Sequence, residues 1–149
     1  MRVVVQRVRE ARVSVGSEEV ARMAGGLLAL VGVAHDDGPE DAEAIADRLV
    51  NLRVLADAEG RMNRSLRESG GTLGVVSQFT LLADTRKGRR PSWALAAPPE
   101  AAEPLVEAVA EAARRAGVPV VTGRFRAHMQ VALVNDGPVT LLLDSRRGI

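Results

Sequence analysis

Val3, Val5, Val8, Val13 and Val15 carry β-branched residues through the first fifteen positions, mostly in alternation. Such side chains are crowded in a helix and fit a pleated strand. Residues 1–15 therefore predict one long strand, and Gly16-Ser17 predicts the turn into a second. A strand of that length must find partners or leave a row of unpaired backbone groups along its edge. The fold has to be built around it.

The rest of the chain supplies partners and a cover. Residues 27–33 form a continuous apolar run that ends in His35-Asp36-Asp37-Gly38, which fits a buried strand. Pro39 suits the first position of a helix, and Ala42, Ile45, Leu49 and Leu52 then recur at spacings of three and four. Residues 53–56 predict a short strand, 57–71 an irregular stretch, and 73–79 another apolar strand. A loop with three prolines spans 84–99. Residues 100–116 predict the clearest helix, with Leu105, Val109 and Ala112 on one face. Arg114 and Arg115 complement its negative end, Gly117 suits the position after it, and Pro119 blocks continuation. Strands over 118–122 and 126–134 follow. Asn135-Asp136-Gly137-Pro138 then reads as a turn into a last strand, 139–144. No repeat or linker divides the 149 residues. The expectation is an α/β fold in one domain, 1–149. It is a sheet-rich, β/β/α layered, barrel-like fold with two main helices on one side.

Composition removes several function classes. Hydrophobic residues at 46% and charged residues at 26% exclude wholesale disorder. There is no cysteine, so disulfides, thiolate metal sites and cysteine nucleophiles are excluded. With His35 and His128 the only histidines, and carboxylates scattered, no metal centre is expected. No apolar run reaches the roughly 20 residues that span a bilayer, and MRVVVQRV carries charge too early for a signal-peptide core. A soluble cytoplasmic protein is expected. The net charge of +1 does not announce a nucleic-acid binder. Lys87 is the sole lysine; the remaining basic residues are arginines, suited to planar contacts with phosphate. A biased genome would produce the same exchange. Phe79, Trp93 and Phe125 are the only aromatic residues, too few to stack a run of single-stranded bases.

Standard catalytic sets are missing. Ser77, His128 and Asp136 supply the residue types of a triad, but no nucleophile-elbow sequence surrounds Ser77. Neither a Walker loop nor a Rossmann fingerprint is present. Two segments stand out. In Ser77-Gln78-Phe79-Thr80-Leu81 a buried strand turns polar; a strand end capped by small polar side chains is the plain alternative. Asn135-Asp136-Gly137-Pro138 carries the Asp-Gly signal of a hairpin, yet the proline removes a ladder donor from the next strand.

VSQFTL at 76–81 and LVNDGPVT at 133–140 resemble the two signature motifs of the D-aminoacyl-tRNA deacylases, of the D-tyrosyl-tRNA deacylase type. Gln6-Arg7-Val8, DAEGRMN at 57–63, Ala83-Asp84-Thr85 with Arg90-Pro91-Ser92, and Thr122-Gly123-Arg124-Phe125 are similar in the same order. The resemblance runs the length of the chain. It implies hydrolysis of the ester between a D-amino acid, or glycine, and the terminal adenosine of tRNA. It further implies a homodimer with its pocket at the subunit interface and no metal or organic cofactor; tRNA is the partner, not DNA or membrane.

The resemblance places the catalytic region at Ser77, Gln78, Phe79 and Thr80. It assigns substrate binding to Gly137, Pro138, Phe125 and Met129. The Gly137-Pro138 peptide is expected to be cis, to enter the partner's pocket and to reject L-amino acids by backbone alone. Phe125 and Met129 are expected to hold the terminal adenine; on a strand over 126–134 they share parity, and a core role is the alternative. The chain departs from the family's pattern at Arg126 and His128. The chemistry is coherent: an aminoacyl ester is already activated, so preorganised N–H donors at the oxyanion suffice for attack by water. A held water, assisted by the ribose 2′-hydroxyl, ranks above Thr80 as nucleophile because no evident base neighbours Thr80. Arg86, Lys87, Arg89 and Arg90 make the 84–93 loop a phosphate contact or a solvated charged loop. Two rival functions stand beside this one: a non-catalytic RNA-binding module, and an esterase using Ser77 or Thr80 on small substrates.

Overall fold

A computed structural model describes residues 1–146. The long strand forms as the valine pattern predicts: β1, Arg2–Val15, is the spine of the molecule. One edge pairs antiparallel first with β3, Gly26–Gly32, and then with β2, Glu18–Met23. Its other edge pairs along nearly its whole length with β8, Gln130–Asp144. The sheet continues from β3 through β6, Thr72–Ser77, to β7, Val120–Thr122, with both of these pairings parallel.

The two parallel connections carry the helices. α1, Pro39–Asn51, leads from β3 toward β6, and α3, Pro99–Arg115, leads from β6 to β7. They pack on each other and on the same face of the sheet. The continuous apolar run of β3 now has a reason: the strand is buried on both sides. Leu27, Ala29 and Val31 join Ile45, Leu49 and Val109 in the core under the helices. Leu28 points the other way, into a second core with Val8, Ala11, Val13, Met23 and Val76. That second core lies inside the curl of the sheet, where β2 and β7 approach and nearly close a barrel. The expected α/β layered, barrel-like fold with two main helices on one side is the fold observed.

Three local expectations change. Leu52 falls just beyond the end of α1 and is half-buried, because the helix stops at Asn51. The 57–71 stretch is not irregular throughout. Leu55–Ala56 (β4) and Met62–Arg64 (β5) form a small hairpin, and Leu66–Ser69 (α2) is a single helical turn. Ser65 accepts the Glu68 N–H while the Glu68 carboxylate accepts the Ser65 N–H, a capping box legible as S-x-x-E.

The third change is the largest. Residues 126–134 and 139–144 are not two strands joined by a hairpin. β8 is one strand that keeps its direction along β1, with Asn135 opposite Val8 and Thr140 opposite Gln6. A hairpin would reverse the chain; here Asp136, Gly137, Pro138 and Val139 instead bulge out opposite Arg7. The strand begins only at Gln130, because Ala127 N–H closes a turn on the Arg124 carbonyl and Arg126 takes a positive φ of 65°. Phe125 and Met129 therefore do not share a strand face.

Candidate active site

β6 ends at Ser77, and its extension is fixed by Gln78 N–H donating to the Val31 carbonyl at 2.7 Å. The chain then winds into a 3-10 turn, Phe79–Leu82, closed by Leu81 N–H on the Gln78 carbonyl at 3.2 Å. The turn lies over Gly32, where a Cβ would meet Leu82 Cδ2 at 2.6 Å and the Gln78 carbonyl oxygen at 2.9 Å. No other residue allows this seating. Arg2 Nη1 holds the far side by donating to the Leu81 carbonyl at 3.3 Å.

This anchoring leaves two donors over. The first N–H groups of a helical turn have no partner within it. No hydrogen bond of the described residues is donated by the Phe79 or Thr80 backbone N–H. The Thr80 hydroxyl accepts from Gln78 Nε2, and among the described residues no carboxylate or imidazole is bonded to it. Ser77, Gln78 and Phe79 line an open cavity of about 410 Å3. Trp93, Phe125 and Arg126 line it as well, and its floor is apolar, with Val31, Val33 and Val106. Phe79 meets Trp93 edge-to-face at 5.0 Å between ring centroids.

The structure thus brings Ser77, Gln78, Phe79 and Phe125 to one cavity, with Thr80 in the adjoining turn. Met129 is not in that lining; it packs against the second core, where a Cβ on Gly123 would meet its sulfur at 2.8 Å. Gly137 and Pro138 are absent from the lining too. Nor does a triad assemble: no hydrogen bond of the described residues joins Ser77, His128 and Asp136, and Asp136 lies beside Arg7.

The bulge at Gly137-Pro138 is nonetheless a built structure. The peptide between them is cis. Gly137 has φ +151°, and a Cβ there would sit 2.7 Å from both Val139 N and a Val139 methyl, so only glycine fits. Asn135 replaces the missing ladder bonds: its Oδ1 accepts Val139 N–H at 2.7 Å, and its Nδ2 donates to the Thr140 hydroxyl at 3.1 Å. Arg7 clamps the base of the bulge. Its Nε donates to the Asp136 carbonyl at 2.7 Å and its Nη1 to the Val54 carbonyl at 2.8 Å. Arg7 and Asn135 were visible only as parts of motifs; the register that sets Arg7 opposite the bulge is not written in either segment.

A sheet curled around one core, two helices on its outer face and a turn with two N–H donors at an aromatic-lined cavity define the fold and its candidate site; among the described residues no side-chain nucleophile set assembles there. Comparison with known proteins gives the family. Residues 4–144 match the model for D-Tyr-tRNA(Tyr) deacylase. The chain is 58% identical to a D-aminoacyl-tRNA deacylase of Chloroflexus aurantiacus, over 97% of this chain and 91% of that one. It is also 58% identical to one of Anaeromyxobacter dehalogenans, over 99% of both. Among solved structures it is similar to the c-Myc DNA Unwinding Element Binding Protein. The TM-score there is 0.91 at 36% identity, covering 99% of this chain and 100% of that one. The chain belongs to the D-Tyr-tRNA(Tyr) deacylase family. It is an enzyme of the D-aminoacyl-tRNA deacylase type, a hydrolase of the aminoacyl ester bond.

Proposed function

We propose that this protein hydrolyses the ester of D-aminoacyl-tRNA and of glycyl-tRNA with a backbone oxyanion site, acting as a homodimer in the cytoplasm. The observation that carries the mechanism is the pair of unpartnered N–H groups of Phe79 and Thr80 at the end of β6. Fixed donors of this kind stabilise the charge that develops on the ester carbonyl oxygen, at no reorganisation cost. Water adds to the ester carbon, the bond to the ribose oxygen breaks, and the water's proton passes to that oxygen with the neighbouring 2′-hydroxyl as relay, releasing the amino acid and the free ribose hydroxyl. Gln78 and Thr80 hold each other's polar atoms and keep the turn in place. Phe79, Trp93 and Phe125 receive the terminal adenosine.

Selection of the D-enantiomer is assigned to the Gly137-Pro138 bulge acting on the cavity of a second protomer. Three features support the assignment. The bulge is rigidly held by Arg7 and Asn135. It lies outside the cavity of its own chain. It also sits in β8, whose outer edge is unpaired among the described residues and whose Val131, Val134 and Leu142 are exposed. An uncovered apolar edge of that length invites pairing with another copy. Carbonyls of a backbone wall exclude an L side chain sterically without reading a D one.

The test is hydrolysis of matched D-Tyr-, L-Tyr- and Gly-tRNA, with the sedimentation of the enzyme measured alongside. Cleavage of the D and glycyl esters by a dimer, with the L ester spared, is expected. Efficient cleavage of L-Tyr-tRNA, or full activity in a monomer, would overturn the filter.

A further inference from the structure

We propose that Arg126 binds a phosphate of the tRNA's 3′-terminal nucleotides at the rim of the cavity, an inference that rests on the deacylase reading above. Three observations lead there. Of the residues lining the cavity, Arg126 alone carries an ionisable side chain; the others are apolar, aromatic, Ser77 or Gln78. It is exposed, and no hydrogen bond or ion pair of the described residues includes its guanidinium, whereas its neighbour Arg124 is paired with Glu18 at 3.2 Å. Its backbone has φ +65°, the sole positive φ at a non-glycine among the described residues.

The last point gives the proposal its leverage. The left-handed region is crowded for a residue with a Cβ and unhindered for glycine. An arginine at this turn therefore works against stability, and among the described residues it forms no ion pair that would offset the cost. A gain in ligand binding is the physical reason left for keeping it. The ligand class follows from the lining: a single unpaired cation beside three aromatic rings suits a group that couples a flat base to an anion, which is a nucleotide. The planar guanidinium matches phosphate in a fork geometry that lysine lacks.

The experiment compares the full-length protein with Arg126→Gly and Arg126→Lys. Binding of a fluorescent 3′-terminal CCA oligonucleotide is followed by anisotropy across a salt series, and D-Tyr-tRNA deacylation is measured beside it. For Arg126→Gly, Kd and KM should rise about tenfold to a hundredfold near 0.1 M salt, as expected for a lost charge-assisted hydrogen bond. The slope of log K against log salt should fall by about 0.7, one phosphate's worth on a single strand. Its Tm should rise by about 2–4 °C as the backbone strain is relieved. Arg126→Lys should retain the salt slope and weaken binding less. An Arg126→Gly protein that is more stable yet keeps the wild-type Kd, KM and salt slope would overturn the proposal. If the wild type bound the oligonucleotide through Arg126 but cleaved no D-Tyr-tRNA, the deacylase reading would fail and the phosphate contact would stand.

Discussion

Two regions of this molecule treat their polar atoms in opposite ways. Where the start of β1 meets α1 and the end of β8, Asp37 and Asp41 use both of their carboxylate oxygens. The Asp37 carboxylate, 1% exposed, accepts the Met1 amine at 2.7 Å and the Ala34 N–H at 2.7 Å. The Asp41 carboxylate accepts the Ser145 hydroxyl at 2.6 Å, the Gly38 N–H at 2.8 Å and two guanidinium N–H groups of Arg146. At the end of β6 the reverse holds. Among the described residues two backbone N–H groups have no partner, and Phe79 and Trp93 stay 56% and 42% exposed at the cavity. Saturated polar groups fix the fold; groups left unsaturated but rigidly seated are available to a substrate. Phe79 and Thr80 are both exposed, so their N–H groups are open to water or to a bound oxygen.

The contrast is broken most severely at the saturated end. Asp41→Ala should cost about 3 kcal/mol in urea unfolding, because Arg146, Ser145 and Gly38 N–H lose one shared acceptor. Activity per folded molecule should not change. The same carboxylate gives a pH signature. The hydrogen bonds from Arg146 foremost, then those from Ser145 and Gly38, hold its ionisation well below the usual carboxylate range, against the opposing effect of burial. A group depressed in the folded state contributes stability that is complete above its unfolded value of about 4 and is lost as pH falls toward the folded one. Acid unfolding of wild type below about pH 4 should therefore be steeper than that of Asp41→Ala. Equal slopes would show that Asp41 is not the group being protonated.

Arg7→Ala sharpens the comparison from the other side. Its guanidinium holds the bulge through backbone carbonyls of Asp136 and Val54. Release of that clamp should lower kcat/KM for D-Tyr-tRNA by on the order of 100-fold through misplacement alone, while urea unfolding shifts by about 1.5–3 kcal/mol. A stability loss without a loss of activity would make the clamp merely structural. Thr80→Ala removes the acceptor for Gln78 but leaves the backbone donors, so kcat should drop about tenfold, one hydrogen bond's worth. Loss of nearly all turnover, with an acyl-Thr80 adduct in mass spectrometry, would make the hydroxyl the nucleophile instead. The smallest effect is expected at Trp93→Leu, which removes the edge-to-face partner of Phe79. KM should rise about twofold to fivefold, within the range of one aromatic pair.

Local signals decided much of this fold. The valine alternation gave β1, the spacing of apolar residues gave α1 and α3, and the unbroken run of β3 followed from burial on two faces. Ser77, Gln78, Phe79 and Thr80 stood out because a buried strand turning polar is a local event. Other features were illegible for a physical reason. Asn135-Asp136-Gly137-Pro138 carries the Asp-Gly mark of a hairpin beside a proline that fits one poorly, and turn chemistry alone cannot say whether the chain reverses or bulges. That depends on whether residues on both sides pair with the same strand in the same direction, which β1 provides. The parity drawn through Phe125 and Met129 failed because Arg126, a residue that seldom adopts a positive φ, adopts one here.

By itself, then, the sequence determined the elements, the two apolar faces of the central strands and the segments that bear chemistry, because each rests on side-chain periodicity or on backbone preferences within a few residues. The tertiary structure alone decided what those segments do together. It set Arg7 against the 136–139 bulge, seated the 3-10 turn on Gly32 so that two N–H groups are left without partners, and put Arg126 among the residues lining the cavity. Each of these is a register or a close approach between residues distant in the chain, fixed by how the sheet curls and not by any segment alone.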